Sequence, residues 1–444
     1  MAKNEDFSEE MDRREYRRKR RVRNQIISYI VLAVILIGLA AGGVIGVQKI
    51  LKILNDKKHT EELQKQLQEL SENEEEPAVI EAPDEQTEPV EETDYLEEIV
   101  NSTIAEMPLE DKVAGLFFIT PEALTDTDVV VRAGDTTREK LREHSVGGLI
   151  YFSQNIKDAE QLSEMLQNTA DWSNYPIFLA VDEEGGSVSR VAEAGLAENV
   201  GSMSEIGASG DAALAKEAGA SIGAYLSGFG FNLDFAPVAD VITEGNTVIG
   251  DRSFGTDVNL VSPMVAAMVE GLQDNGVNAC LKHFPGLGDT TEDTHDGLAA
   301  SEKTLDEFTA QDFPVYQAGI DAGVKFIMVS HLSTPNVVGD NTPASLSSVM
   351  ITDILRGQLG YQGIVITDAM NMTAITDYYT PEDAAVKALQ AGADMILMPE
   401  DFQAAYQGVL DAVNNGTLTE ERIDESLRRI YRVKKYEEYI SIVG

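Results

Sequence analysis

Cysteine is almost missing from this chain of 444 residues, in which Cys280 is the only one. A single cysteine excludes an intrachain disulfide, a zinc site of the CxxC type and a lipid-modified cysteine at the N-terminus. Stability must therefore come from packing, and a hydrophobic content of 43% is ample for a large core.

Basic residues are also scarce. The sequence has 34 Lys and Arg against 76 Asp and Glu, which gives a formal net charge of −42 at pH 7. A protein that binds a polyanion needs clustered Lys and Arg over its functional surface. The cluster that this chain has lies in its first two dozen residues, so we expect no nucleic-acid partner.

Charge is absent altogether from residues 26–47, IISYIVLAVILIGLAAGGVIGV, which we predict to be a transmembrane helix. The preceding flank is far more basic than the following one, so the positive-inside rule keeps the basic tail, residues 1–25, in the cytoplasm. We therefore expect a single-pass protein of the cell membrane, with everything after residue 47 outside the cell. A cleaved signal peptide is the alternative, although its apolar region is normally only about 7–15 residues long.

Residues 48–94 are rich in Glu, Gln and Pro and contain too few apolar residues to offset the entropy of the chain. We predict a disordered, acidic stalk here. Leu63, Leu67 and Leu70 have heptad spacing, but a stable coiled coil needs about three or four heptads. A frayed helical stretch is the simpler interpretation, and the folded domain is expected over residues 95–444.

In that domain, short apolar runs alternate with longer helix-like stretches, as in βα units around a parallel sheet. The candidate strands are GLFFI from Gly115, GGLIYF from Gly147, PIFLAVD from Pro176, FNLDFAPVAD from Phe231, VNACLKHF from Val277, KFIMVSHL from Lys325, GIVITDAM from Gly363 and ADMILMP from Ala393. Eight such units close a barrel, so we predict an α/β protein with a single (β/α)8 TIM-type barrel. A doubly wound open sheet would favour a GxGxxG turn after the first strand, and that turn is missing.

Polar residues stand at the ends of the candidate strands, where the active site of such a barrel lies. They are Asp182, Asp234, Asp240, Lys282, His283, His331 and Asp368. Any one of these side chains could instead satisfy loop backbone. Their occurrence on five strands favours a functional site.

Five segments around these positions resemble glycoside hydrolase family 3, and most closely its β-N-acetylhexosaminidase branch. The segments are KHFPGLGDTTEDTHDGL from Lys282, VDEEGGSVSR around Asp182, IGDRSFG from Ile249, SHL from Ser330 and TDAMNM from Thr367. The resemblance covers roughly residues 95–440, and the long KHFPG…DTH element is far more specific than a short glycine motif.

The resemblance implies roles for individual residues. Asp368 would attack the anomeric carbon and form a glycosyl-enzyme, and His295, held by Asp293, would protonate the leaving oxygen and then activate water. The residues implied to hold the sugar hydroxyl groups are Asp182, Arg190, Arg252, Lys282 and His283. Leu287 replaces a frequent His of the family and Ser187 a frequent Arg, which affects loop shape and affinity rather than the chemistry.

These residue types suit the reaction. A retaining glycosidase needs an ionised carboxylate on one face of the anomeric centre and a proton donor on the other. Imidazole, with an unperturbed pKa of about 6.5, can give and take a proton near neutrality. Asp293 lies two residues before His295 and could fix its tautomer, as the carboxylate of a catalytic triad does. The loop DTTEDTHDG is expected to close over bound sugar, its alternative being an ordinary solvated acidic loop.

Lys282 allows another interpretation, a Schiff-base lysine in an aldolase-like barrel. A metallohydrolase with His283, His331 and Asp368 as ligands is a further one, although the first strand brings no HxH pair. We expect neither a metal nor another cofactor.

The sequence thus predicts an exo-acting retaining β-N-acetylhexosaminidase, of EC 3.2.1.52 type, that acts on peptidoglycan-derived sugars. The alternatives are another family 3 β-glycosidase and a non-catalytic wall-glycan-binding protein. Intact glycan or muropeptide as substrate, water or phosphate as acceptor, and the oligomeric state all stay open.

Overall fold

The computed structural model describes residues 95–243, 246–290, 297–436 and 439–440. The predicted cytoplasmic tail, transmembrane helix and stalk lie outside these residues, and so do Asp293 and His295. Within the described residues, none of the helices combines the length and the apolar character needed to cross a bilayer.

Eight parallel strands form a nearly closed barrel, and each lies within one of the eight predicted segments. They are Phe117–Ile119 (β1), Gly148–Tyr151 (β2), Phe178–Val181 (β3), Leu233–Asp234 (β4), Asn278–Phe284 (β5), Phe326–Val329 (β6), Ile364–Thr367 (β7) and Ile396–Leu397 (β8). Neighbours along the chain are neighbours in the sheet, and β8 pairs with β1. One isolated bridge, between Ile366 and Met395, joins β7 to β8. The predicted barrel is confirmed.

Helices cover the outside of the barrel. They are Tyr95–Ala105 (α1), Leu109–Ala114 (α2), Pro121–Thr125 (α3), Asp135–Glu143 (α4), Ala159–Trp172 (α5), Arg190–Glu193 (α6), Met203–Ser209 (α7), Ala212–Phe229 (α8), Val258–Gln273 (α9), Leu305–Gln311 (α10), Phe313–Asp321 (α11), Pro335–Val338 (α12), Thr373–Thr376 (α13), Pro381–Ala391 (α14), Phe402–Asn414 (α15) and Glu420–Lys434 (α16). The amphipathic segment after β6 differs from an ordinary α-helix, because Val349–Gln358 has π-helical hydrogen bonding.

Aspartates start several of the helices that follow strand-end loops. The carboxylates of Asp158, Asp211, Asp257 and Asp401 accept hydrogen bonds from backbone N–H groups in the first turns of α5, α8, α9 and α15. Such caps satisfy donors that have no partner within the helix. The chain therefore changes from loop to helix at defined positions, which fixes where each connection leaves the barrel rim.

Large aromatic side chains fill the barrel interior. The rings of Phe178 on β3 and Phe326 on β6 meet edge to face at 5.0 Å. Gly148 on β2 is required by close packing, since a Cβ atom there would lie 2.2 Å from the Phe118 ring. Lys434 of α16 lies next to this layer, with its Nζ 4.8 Å from the Phe178 ring centroid and 2.9 Å from the Gly147 carbonyl. The core is thus dense beneath the rim where the strands end.

Candidate active site

The carboxyl ends of the strands bring the predicted polar residues to one rim. Asp182 directly follows β3, Lys282 and His283 lie in β5, and Asp368 directly follows β7. Arg252 ends a short 3₁₀ turn, Gly250–Arg252, in the long connection after β4. This placement agrees with the sequence prediction for the barrel mouth.

Four charged side chains form a quartet at this rim, which we call the buried quartet after its two buried members, Lys282 and Glu184. Lys282 Nζ lies 2.6 Å from Asp182 Oδ1 and 2.6 Å from Glu184 Oε1. Glu184 in turn accepts two hydrogen bonds from Arg252, from Nε at 2.7 Å and from an Nη at 2.8 Å. Lys282 and Glu184 are 3% and 1% exposed, whereas Asp182 is 17% exposed. Asp182 is therefore the acidic member of the quartet that is more open to a ligand.

Burial by itself would disfavour the charged forms of these groups, but their mutual attraction prevails. Glu184 is fully buried, which raises its pKa, yet Lys282 and Arg252 outweigh that effect and lower the pKa to about 2. Burial lowers the pKa of Lys282, and Asp182 and Glu184 more than compensate, so that the pKa is raised above 10.5. Lys282 is thus a charged hydrogen-bond donor. A protonated amine has no lone pair for a Schiff base, which disfavours the aldolase-like interpretation.

Glu184 is a site residue that the sequence analysis did not single out. It lies in a hairpin directly after β3, formed by the strands Glu183–Gly185 and Val188–Ser189. Two consecutive glutamates occur here, and the backbone turn decides which of them points towards Lys282. The DEEGG run is an available signal for an acidic strand end, but the run alone does not distinguish Glu183 from Glu184.

Glu183 has a different role, because it caps the first turn of α6, the helix that begins with Arg190. Its carboxylate accepts hydrogen bonds from the Val191 and Ala192 N–H groups, at 2.7 and 3.0 Å, and from the Tyr225 hydroxyl. Burial raises the pKa of Glu183, and these hydrogen bonds act in the opposite direction. Arg190 Nε is buried and has no hydrogen-bond partner among the described residues. Arg190 is therefore held in place without contributing to the buried quartet.

His283 is oriented by Asp240, which is completely buried. His283 Nδ1 lies 2.9 Å from Asp240 Oδ2, and the Leu287 N–H donates to Asp240 Oδ1 at 2.7 Å. Since a carboxylate only accepts, Nδ1 carries a proton and donates it to Asp240, which fixes the direction in which Nε2 points. Asp240 thereby fixes both the imidazole and the start of the loop after β5.

His331 supports the backbone beside Asp368. Its Nδ1 lies 2.8 Å from the Ser345 hydroxyl, and its Nε2 donates to the Ala369 carbonyl at 2.9 Å. Asp368 itself is partly exposed, and its Oδ1 accepts from the Ala369 N–H at 2.8 Å. With both ring nitrogens of His331 in hydrogen bonds, the metal interpretation with His283, His331 and Asp368 as ligands finds no support in this geometry. In the described part of the chain, no three His, Cys, Asp or Glu side chains are arranged to hold an ion.

The structure thus brings together Asp182, Arg252 and Lys282 in one network, and places His283 and Asp368 at the same rim. The predicted acid/base pair, Asp293 and His295, lies outside the described residues, and its role stays a prediction.

Comparisons with known proteins point to one family. The model of the glycosyl hydrolase family 3 N-terminal domain matches residues 108–433. A β-hexosaminidase A of Pseudoalteromonas piscicida is 34% identical over 326 residues, which are 67% of this chain and 54% of that protein. A β-hexosaminidase of Nitrosomonas eutropha is 31% identical over 316 residues, 69% of this chain and 90% of that protein. The chain therefore spans about half the length of the first relative and most of the second.

Solved structures give the same result. A family 3 β-N-acetylglucosaminidase from Paenibacillus superposes with a TM-score of 0.67 at 37% identity, over 74% of this chain and 63% of that one. A family 3 glycosyl hydrolase from Mycobacterium smegmatis gives 0.66 at 32% identity, over 74% and 98%. The matched segment contains the barrel strands and the buried quartet described above, and this chain belongs to glycoside hydrolase family 3.

Proposed function

We propose that this protein is an exo-acting, retaining β-N-acetylhexosaminidase that removes terminal β-linked N-acetylglucosamine from peptidoglycan-derived sugars. The observation that carries the proposal is the position of Asp368 at the end of β7, on the rim that holds the Asp182–Glu184–Lys282–Arg252 quartet. A carboxylate beside a charged hydrogen-bonding surface suits a neutral polyhydroxylated substrate. The names of the relatives above support an N-acetylhexosamine as the sugar.

In the proposed first step, an Asp368 carboxylate oxygen bonds to the anomeric carbon while the glycosidic C–O bond breaks and His295 gives its proton to the leaving oxygen. In the second step, water attacks the same carbon, His295 takes a proton from that water, and the ester bond to Asp368 breaks. Inversion occurs twice, so the anomeric configuration is retained. The assignment of His295 and its partner Asp293 rests on the family resemblance.

The quartet supplies the binding part of this scheme. Asp182 and Lys282 are a hydrogen-bond acceptor and a donor that are already fixed in place, so binding a hydroxyl group costs little side-chain entropy. Arg190, whose Nε has no partner among the described residues, and His283 provide further donor and acceptor capacity. We propose these five residues, Arg252 included, as the sugar-binding set.

A hydrolysis assay tests the activity directly. The purified domain is incubated with a chromogenic β-N-acetylglucosaminide. Asp368→Ala is the inactive variant, and Asp377→Ala, an exposed carboxylate directly after α13 in the same connection that follows β7, is the matched control. We expect wild type and Asp377→Ala to release product and Asp368→Ala to release none above background. Equal rates for wild type and Asp368→Ala would contradict the assignment. A panel of other aryl β-glycosides, followed by product analysis with muropeptides, identifies the preferred sugar.

We further propose that residues 26–47 anchor the protein in the cell membrane with the barrel outside the cell. The support is the charge-free run and the basic flank before it. Protease added to intact protoplasts should remove a C-terminal epitope, and deletion of residues 26–47 should release the protein from the membrane fraction. An epitope that is protected in intact protoplasts and cut only after lysis would contradict this topology.

A further inference from the structure

The backbone around Asp368 is held by both neighbouring strands. The Asp368 N–H donates to the Val329 carbonyl, at the end of β6, at 2.8 Å. The Met370 N–H donates to the Leu397 carbonyl, at the end of β8, at 2.9 Å. Ala369 lies between these two anchors, and its own N–H donates to Asp368 Oδ1 at 2.8 Å. The orientation of Ala369 therefore affects where the carboxylate points.

The Ala369 carbonyl is held by a side chain, that of the completely buried His331. His331 Nε2 donates to this carbonyl at 2.9 Å. Because a carbonyl only accepts, Nε2 must carry a proton. The state of one ring nitrogen depends on the hydrogen bond that the other makes. The partner of Nδ1 therefore matters for the bond to Ala369.

That partner is the Ser345 hydroxyl, 2.8 Å from His331 Nδ1. A hydroxyl can donate to Nδ1 of the neutral ring or accept from Nδ1 of the protonated ring. In both cases it satisfies Nδ1 and leaves the Nε2 proton directed at the Ala369 carbonyl. Ser345 thus holds the imidazole in the orientation that the backbone beside Asp368 requires.

Ser345 is itself fixed to the barrel. It is completely buried in the short 3₁₀ turn Ala344–Leu346, and its N–H donates to the Ser330 carbonyl at 3.0 Å. The N–H and the hydroxyl of Ser330 both donate to the carbonyl of Phe284, the last residue of β5, at 2.9 and 3.1 Å. The hydroxyl that binds His331 is therefore presented from a rigid frame.

We infer that Ser345 is a positioning residue for the nucleophile, acting through His331 and the Ala369 carbonyl on the direction of the Asp368 carboxylate. This inference rests on the proposed function, in which Asp368 bonds to the anomeric carbon. Without the hydroxyl, a buried ring nitrogen loses its partner, and the imidazole is free to turn away from Ala369. A displacement of about 1 Å at a catalytic group can cost about 10²-fold in rate.

A displaced nucleophile has a different kinetic signature from a weakened sugar site. Asp368 takes part in both proposed steps, so kcat reports its position whichever step limits the rate. With 4-nitrophenyl β-N-acetylglucosaminide as the substrate, we expect Ser345→Ala to lower kcat about 10- to 100-fold. The inhibition constant of N-acetylglucosamine should change by less than about twofold, because the sugar-binding set is left intact.

Two comparisons separate positioning from a general loss of packing. Ser345→Thr keeps the hydroxyl and should recover most of the activity, whereas Ser345→Val has nearly the same shape as the threonine variant and should behave like Ser345→Ala. The amide of a His331→Gln variant can still donate to the Ala369 carbonyl. On that background, Ser345→Ala should have no further effect on kcat, because the residue through which it acts has been replaced.

Ser347→Ala is the matched control. Ser347 is also buried, and its hydroxyl serves the start of the π-helical segment, where it accepts from the Met350 N–H at 3.4 Å. The control should leave kcat unchanged within about twofold. If Ser345→Ala does not fold, Ser345→Cys, whose thiol is a weaker donor, should give an intermediate loss of kcat.

A loss that is confined to kcat and restored by Ser345→Thr supports the positioning role. An unchanged kcat in Ser345→Ala, a parallel rise in the inhibition constant, or an undiminished loss on the His331→Gln background would overturn it. Wild type that releases no 4-nitrophenol would instead overturn the proposed function, on which the inference depends.

Discussion

Asp234, at the end of β4, tests how burial in the barrel changes the pKa of a carboxyl group. The residue is 0% exposed, its Oδ1 accepts from the Glu183 N–H at 2.9 Å, and its Oδ2 is buried without a partner among the described residues. Burial raises the pKa of this carboxyl well above 3.8, and the hydrogen bond from Glu183 only partly opposes that effect. We therefore expect Asp234 to keep its proton to a higher pH in the folded protein than in the unfolded chain.

The direction in which pH changes the stability follows from the linkage between proton binding and folding. Between 3.8 and the folded-state pKa, the unfolded chain has released this proton and the folded chain has kept it, so wild-type stability falls as the pH rises. The slope for one proton is about 1.4 kcal/mol per pH unit. Asparagine has the same shape, keeps the acceptor for Glu183 and does not titrate. The advantage of Asp234→Asn over wild type should therefore grow as the pH rises from 5 to 7, by at most about 1.4 kcal/mol per pH unit.

Urea unfolding at pH 5, 6 and 7 measures this difference, with the fluorescence of Trp172, the single tryptophan, as the probe. Asp377→Asn, an exposed position, is the control and should give a difference that does not change with pH. A constant difference between Asp234→Asn and wild type over the same range would show that Asp234 is ionised in the fold, and the reasoning from burial would be refuted.

Three further substitutions test the site and the core. Glu184→Gln leaves Arg252 without its carboxylate partner and Lys282 with Asp182 alone. It should lower the free energy of unfolding by about 3–5 kcal/mol, against no change for the exposed Glu198→Gln in the same urea titration. Asp240→Asn weakens the hold on His283 and should reduce kcat/KM about 10²-fold with little change in the urea midpoint; unchanged kinetics would exclude the orienting role. Burial lowers the pKa of Lys434 to about 7, so wild-type stability is reduced at neutral pH and recovers as the pH rises from about 7 to 10.5. Lys434→Met should accordingly stabilise the fold at pH 7 by about 1–3 kcal/mol, with the gain declining towards pH 10.5 and no such trend for exposed Lys325→Met.

The sequence was sufficient to predict the barrel, because its strands are short apolar runs that end in polar residues at regular intervals. It also indicated the rim residues, since parallel strands that carry Asp182, Lys282 and Asp368 at their ends must present them on one face. The sequence alone does not predict which of these rim side chains form ion pairs with one another. That Lys282 lies between Asp182 and Glu184, rather than against Asp234, depends on side-chain directions after the strands end.

Three residues, Glu183, Glu184 and His331, show this limit of prediction from the sequence more clearly. Glu183 and Glu184 are adjacent and chemically identical, yet one caps a helix and the other binds Lys282 and Arg252, because a hairpin turns them to opposite sides. His331 was predicted to belong to the rim, and it does, but both of its ring nitrogens bind Ser345 and the Ala369 backbone. Residue type and spacing identified these positions; only the backbone path assigned their partners.

The buried quartet consists of two anions and two cations. This balance affects how ionic strength changes the association rates of neutral and charged substrates. Within the quartet the four charges cancel, so these four residues present no net charge to an uncharged chitooligosaccharide at the proposed sugar-binding rim. The molecule as a whole carries −42, and its field reaches about 10 Å into 0.1 M salt. A fragment that bears peptide carboxylates is therefore repelled on approach, and added salt should speed its association while leaving that of the neutral sugar unchanged.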